Sequence, residues 1–176
     1  MKIFLIGYMA CGKSTIGRKL SQRLGWQLYD TDKEIVAQYN SSIAEIFDSG
    51  GEEYFRKIER DTIARLIAMK GNIIISTGGG APTYADNMKI MNNAGVSVFI
   101  ARSAENTIKR LSQFGRYKRP KLRGLNDEEL LEYMTKGIIE RQCYYNQATV
   151  KVDADRLSDD DIVCKVIQFL KFTNGQ

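Results

Sequence analysis

The sequence predicts an α/β sandwich, a parallel sheet with helices packed on it. Two observations carry that expectation. Three runs, KIFLI (2–6), NIIIS (72–76) and VSVFIA (96–101), are nearly continuous in apolar residues and rich in Ile and Val, the pattern of strands buried on both faces of a parallel sheet. Segments of helical periodicity lie between them, and strands alternating with helices imply right-handed crossovers.

KIFLI is the first strand, and a glycine-bounded loop leads from it into a helix on which Ile16, Leu20 and Leu24 repeat at i, i+4, i+8. WQLYD (26–30) reads as a short second strand, followed by a helix over 32–40. A long helix is expected in EEYFRKIERDTIARLIAMK (52–70), with Ile58, Ile63, Leu66 and Ile67 as its apolar stripe. NIIIS is the third strand; helix 84–94, strand 96–101 and helices 104–113 and 126–146 come next. ATVKVD (148–153) is a fifth strand candidate, and a helix over 158–172 ends the series. Regularity breaks at 114–124, FGRYKRPKLRG, a basic loop holding one of only two prolines. A length of 176 residues fits one domain, and no repeat, low-complexity tract or linker interrupts it.

At 43% hydrophobic and 27% charged residues, composition is ordinary for a soluble protein. No stretch approaches the roughly 18 apolar residues of a membrane helix, and the N-terminal apolar run is too short for a secretory leader. Cys11, Cys143 and Cys164 are odd in number and widely spaced, which suits a reduced, cytoplasmic setting. The net charge of +5 is local: Lys109, Arg110, Arg116, Lys118, Arg119, Lys121 and Arg123 fall in a window without acids, and the remaining 19 basic residues face 21 acidic ones. Such a cluster suits a small polyanion better than a nucleic-acid track. The absence of histidine excludes Ser-His-Asp catalysis, His-ligated metals and phosphohistidine; proton transfer falls to a carboxylate, Lys, Tyr, Cys or water.

Residues 7–14, GYMACGKS, match G-x-x-x-x-G-K-[ST] between the first strand and the first helix, the context that this phosphate-binding loop requires. Backbone N–H groups and the helix N-terminus would face phosphate. Ala10, Cys11, Gly12, Lys13, Ser14 and Thr15 are the ATP-binding candidates, with Lys13 reaching the β- and γ-phosphates and Ser14 offering a hydroxyl to Mg²⁺. Cys11 reads as a small side chain tolerated in the loop.

YDTDKE (29–34) places Asp30 and Asp32 two residues apart, on one side of an extended segment. Both carboxylates can then face a cavity at the sheet's C-terminal edge, where open α/β sheets bind ligands. Asp30 suits the Mg²⁺ shell and Asp32 could accept a proton from an attacking hydroxyl; alternatively, Asp32 caps the next helix. Arg56 and Glu59 fall at i, i+3 on the polar side of the long helix, a spacing equally suited to a surface ion pair. Gly78, Gly79 and Gly80 follow the third strand and suggest a pocket floor where a hydroxylated ligand meets bare backbone; a structural turn is the plainer alternative.

The set GYMACGKST, DTD, R-x-x-E from Arg56 and IIISTGGGA resembles the shikimate kinase family, in motif order and over essentially the whole chain. That resemblance implies a P-loop fold like the nucleoside-monophosphate kinases, a five-stranded parallel sheet flanked by helices, with a mobile lid at about 112–124 and a substrate-binding subdomain at about 31–60. It implies Mg²⁺-dependent transfer of the ATP γ-phosphate to the 3-hydroxyl of shikimate, in aromatic biosynthesis. It assigns Asp32 to the shikimate hydroxyls as base, Arg56 and Arg141 to the shikimate carboxylate, and Gly78, Gly79 and Gly80 to the ring. Lys13 and Arg119, the latter a lid arginine, would meet the transferred phosphate, Arg110 would lie over adenine, and Ser14 and Asp30 would hold Mg²⁺. The expected partners are ATP and shikimate, with no nucleic acid or membrane, and a monomer is expected. Three features depart from the family pattern: Pro82 after GGGA, Lys121 after Arg119-Pro120, and a lid about two residues longer. A kinase of another polyol acid such as gluconate, a nucleic-acid-binding ATPase and a silent relative are the competing readings.

Overall fold

A computed structural model describes residues 1–111, 115, 116, 119 and 122–174. Five strands form one parallel sheet: β1 (Lys2–Ile6), β2 (Gln27–Asp30), β3 (Ile73–Ser76), β4 (Val96–Ala101) and β5 (Val150–Asp153), in the order β2-β3-β1-β4-β5. Residues Lys2 to Leu5 of β1 pair with Ile73 to Ser76, and Ile3 to Ile6 pair with Val96 to Phe99. The next two strands lie on one side of β1 and the last two on the other. The loop leaving β1 therefore stands where the winding reverses, the place at which open sheets bind ligands.

Strand alternation divides the core. Ile3, Leu5, Ile74, Val98 and Ile100 meet Ile16 and Leu20 of α1 (Lys13–Leu24) and Ile162, Val163 and Val166 of the C-terminal helix Asp159–Asn174. On the opposite face Phe4, Ile6, Ile73, Ile75 and Phe99 meet Ile63 and Leu66 of α3 (Ile43–Ala68), Met88 and Met91 of α4 (Asn87–Ala94), and Leu130, Met134 and Tyr145 of helix Asp127–Tyr145. Each such buried side chain contributes roughly 1.5–3 kcal/mol. Ile35 of α2 (Thr31–Tyr39) with Ile46, Phe55 and Ile58 of α3 forms a third, separate cluster. Numbering continues with α5 (Ala104–Arg110), α6 (Asp127–Tyr145) and α7 (Asp159–Asn174).

The helix expected from residue 52 begins at Ile43, where Ser42 and Glu45 form a reciprocal capping box. Gly51, at φ 73° and ψ −176°, breaks the helical run inside it, so the segment is two helical pieces joined at a kink. The break lies beside the expected start because Gly50-Gly51 reads as a terminus. Pro82 is buried in a 3₁₀ turn, Ala81–Thr83, whose backbone its fixed φ suits. Lys118, Pro120 and Lys121, with residues 112–113 of the expected fifth helix, lie outside the described residues, and so does most of the lid segment. Among the described residues no helix is long and apolar enough to cross a membrane, and the three cysteines are free.

Candidate active site

The loop after β1 turns on Gly12 at φ 116° and enters α1 at Lys13. Lys13 is only 9% exposed. Its Nζ donates to the carbonyls of Gly7 at 2.7 Å and Tyr8 at 2.9 Å, tying the ammonium across its own loop. Ser14 Oγ reaches Asp30 Oδ2 at 3.5 Å, a long hydrogen bond that sets a hydroxyl beside a carboxylate. Cys11 is 1% exposed and belongs to the core cluster of Ile3, Leu5 and Ile16, its Sγ lying 3.9 Å from Lys13 Nζ beneath the loop.

Asp30 and Asp32 do share one cavity, but not for the expected reason. The chain turns helical at Thr31, so Asp30 occupies the cap position of α2, without a side-chain cap bond, and Asp32 stands in the first helical turn. Asp32 is open to the cavity and crowded by protein elsewhere. That desolvation, followed by the charge of Asp30, raises its pKa against the lowering influence of Lys13, Arg56 and Arg119.

Arg56 and Glu59 also differ from expectation. They do not face solvent opposite the apolar stripe: Glu59 is 0% exposed and the Arg56 side chain 14%. Arg56 Nη1 donates to Glu59 Oε2 at 2.7 Å, and Nη2 to the exposed Glu52 at 3.0 Å. Glu59 Oε1 is buried without a hydrogen-bond partner. Burial drives the Glu59 pKa up to about 7, against the opposing charge of Arg56. Burial alone would lower Arg56, but Glu59 and Glu52 outweigh it and raise its pKa.

This pair explains the three glycines. A Cβ added at Gly78 would land on Glu59 Oε1, and one at Gly80 on the Arg56 guanidinium. At Gly79 it would crowd the phosphate loop, 3.3 Å from Met9 N. The triplet is bare because protein side chains and backbone approach it, not only to admit a ligand. Nor are all its amides free: Gly78 N–H donates to the buried Thr31 hydroxyl at 2.9 Å, while Tyr145 Oη donates to the Gly79 carbonyl at 2.6 Å. Burial raises the pKa of Tyr145, keeping it a donor.

A single cavity of about 410 Å³ gathers Ala10, Gly12, Lys13, Ser14, Thr15, Asp30, Asp32, Gly78, Gly79, Arg110 and Arg119 on its wall. The phosphate loop and the glycine triplet thus open onto one rim. Cys11, Arg56, Gly80 and Arg141 stand off that wall. Arg141 lies over the Tyr8 ring at 5.3 Å and donates to the Gly137 carbonyl at 2.8 Å. Arg119 donates to the Gly115 carbonyl at 2.7 Å and Arg110 to Asp159 at 3.0 Å. Among the described residues no three acidic or thiol side chains cluster as a metal cage. Ser14 and Asp30 supply two hard oxygen donors beside the phosphate loop, the sparse protein set that Mg²⁺ uses when phosphates and waters complete its shell.

A family model described as shikimate kinase matches residues 9–171. The chain is 38% identical to a shikimate kinase of Flavobacterium johnsoniae over 96% of its own length and 98% of that protein's. The chain belongs to the shikimate kinase family. A crystal structure of shikimate kinase from Bacteroides thetaiotaomicron superposes with a TM-score of 0.90 at 32% identity, covering 97% of this chain and 98% of that one. Shikimate kinase from Acinetobacter baumannii in complex with shikimate superposes at 0.81 and 28% identity, over 98% and 93% of the two chains.

Several groups around this cavity are not visible in residue spacing. Thr31 and Tyr145, which hold the glycine backbone, belong to no motif in the sequence, one lying just before the helix expected over 32–40 and the other inside that expected over 126–146. Arg102 and Asp159 join the phosphate loop to Arg110: Arg102 Nε donates to the Cys11 carbonyl at 2.9 Å, and Asp159 pairs with both arginines. An arginine directly after the strand VSVFIA, on the same sheet edge as the loop, was the one available signal.

Proposed function

We propose that the chain transfers the γ-phosphate of ATP to the 3-hydroxyl of shikimate, giving shikimate 3-phosphate and ADP. The observation that carries this reading is the common cavity, with the phosphate loop on one wall and Asp32, Gly78 and Gly79 on another. Loop N–H groups and Lys13 bind the phosphate tail, and Arg110 lies over the base. Ser14 and Asp30 would hold Mg²⁺, which when bound neutralises charge on the phosphates. Asp32 accepts the proton that the shikimate hydroxyl loses as its oxygen bonds to phosphorus and the bond to the ADP oxygen breaks. A raised pKa suits that role, bringing the carboxylate nearer the operating pH.

Arg56 and Arg141 take the shikimate carboxylate, each charge-assisted hydrogen bond contributing roughly 1.5–3 kcal/mol. Their influence converges on Tyr145, beneath the glycine triplet: both lower its otherwise raised pKa. Arg119 stabilises charge on the phosphoryl group in flight, and the lid that carries it excludes water that would otherwise hydrolyse ATP. Small-molecule substrates, a monomer and a reduced cytoplasm complete the reading, the last supported by three free cysteines. ADP release is measured with shikimate, gluconate and RNA offered separately. Release with shikimate alone is expected; stimulation by RNA alone, or by gluconate and not shikimate, discards the reading.

A further inference from the structure

Arg102 is a buried cation at the nucleotide end of the cavity that the reading above leaves without a task. It follows β4 directly, and its side chain is 7% exposed. Its Nε donates to the Cys11 carbonyl at 2.9 Å, and its Nη2 stands 3.7 Å from Asp159 Oδ1. The other oxygen of Asp159 accepts from Arg110 Nη2 at 3.0 Å. Asp159 opens α7, where the helix dipole favours a carboxylate. A buried guanidinium is costly unless it is paired, and here Asp159 answers the charge at ion-pair distance, its Oδ1 making no hydrogen bond, while the Cys11 carbonyl takes the Nε–H.

The carbonyl that Arg102 holds belongs to the residue between two unusual backbone positions. Gly12, at φ 116°, adopts such an angle without steric cost, but Ala10 sits at φ 60°, a left-handed conformation that a residue with a Cβ resists. The phosphate loop therefore carries strain at Ala10 and a fixed point one residue later. A loop that binds phosphate through backbone N–H groups depends on their aim, because a misdirected donor loses its bond.

We propose that Arg102 is a positioning residue for nucleotide binding: its guanidinium clamps the Cys11 carbonyl and so holds the strained Ala10–Gly12 turn in its phosphate-binding shape, with Asp159 fixing the clamp. The proposal rests on the phosphate-loop reading of residues 7–14. It acts on the phosphate tail, not on the base.

The test uses Arg102→Met, which keeps an apolar stem and removes the donors. MgADP and inorganic tripolyphosphate, which has no base for Arg110 to cover, are titrated calorimetrically into wild type and variant. Kd for both is expected to rise about 10-fold, equivalent to about 1.4 kcal/mol, while the shikimate KM at saturating ATP stays within about twofold. Adding Ala10→Gly to the variant is expected to recover part of the loss, since glycine adopts the left-handed turn without needing the clamp. A lowered Tm with unchanged Kd values overturns the proposal, making Arg102 only a tie between α7 and the sheet. Weaker MgADP with unchanged tripolyphosphate also overturns it, moving the effect to the base. If Arg102→Met does not fold, Arg102→Lys, which keeps the charge but not the Nε–H, is measured instead, and an unchanged tripolyphosphate Kd there is equally fatal. A wild-type protein that binds neither probe sinks the phosphate-loop reading itself, a failure visible before any variant is made.

Discussion

Glu59 holds a carboxyl group at 0% exposure, with Arg56 on one oxygen and no hydrogen-bond partner on the other. Its pKa rises from 4.5 to about 7 on folding, through burial first. Between those values the folded chain binds more protons than the unfolded one, so this group's contribution to stability is full below about 4.5 and is lost as pH rises through about 7. Denaturant midpoints measured across that window are expected to fall with rising pH, and to fall less steeply in Glu59→Gln; equal slopes contradict the assignment. Asp32 makes a kinetic prediction. Removing a general base costs about 10²–10⁴ in rate, so Asp32→Asn is expected to lower kcat at least 100-fold with the KM for ATP little changed. Near-normal turnover reduces Asp32 to a positioning group. The sequence marks Asp30, Asp32, Arg56 and Glu59 by identity and spacing, but their surroundings are tertiary. Spacing on a helix says which residues share a face, not which face is buried, and Glu59 points inward because Gly78 leaves it room.

At the scale of elements, strand identities follow from unbroken Ile/Val runs, which only a doubly covered sheet explains, and β1 and β4 match the sequence reading at both ends. The helical piece from Ile43 to Gly50 does not emerge from periodicity because the double glycine reads as a terminus, although Ser42 and Glu45 announce a start. Gly51 holds φ 73° at the kink, so Gly51→Ala is expected to cost about 1 kcal/mol or more in urea denaturation. A neutral effect means that the kink tolerates a side chain and that the double glycine has another cause. The loop after β3 yields a sharper case. A methyl group at residue 80 would displace the Arg56 guanidinium, so Gly80→Ala is expected to raise the shikimate KM about 10-fold or more while the KM for ATP stays near its starting value. Equal rises in both constants point to general collapse of the loop.

Across the whole molecule, the order β2-β3-β1-β4-β5 places the ends of β1, β2 and β3 on one edge, which is why the phosphate loop, Asp30, Asp32, Gly78 and Gly79 meet at one cavity. That meeting was legible once a parallel sheet was assumed, since parallel strands present their C-terminal ends together. The links among Arg102, Asp159 and Arg110 were not, because they join residues 49 or more apart through side chains alone. The cluster of Ile35, Ile46, Phe55 and Ile58 has a different consequence. A region with its own small patch of apolar contacts can come loose while the two larger layers stay intact. Amides of residues 31–50 are therefore expected to trade hydrogen for deuterium by a partial opening, faster than those of β1 and β3, and uniform protection across all three segments contradicts this. The part of the chain that carries Asp32 then breathes at a lower cost in free energy than the sheet it is attached to.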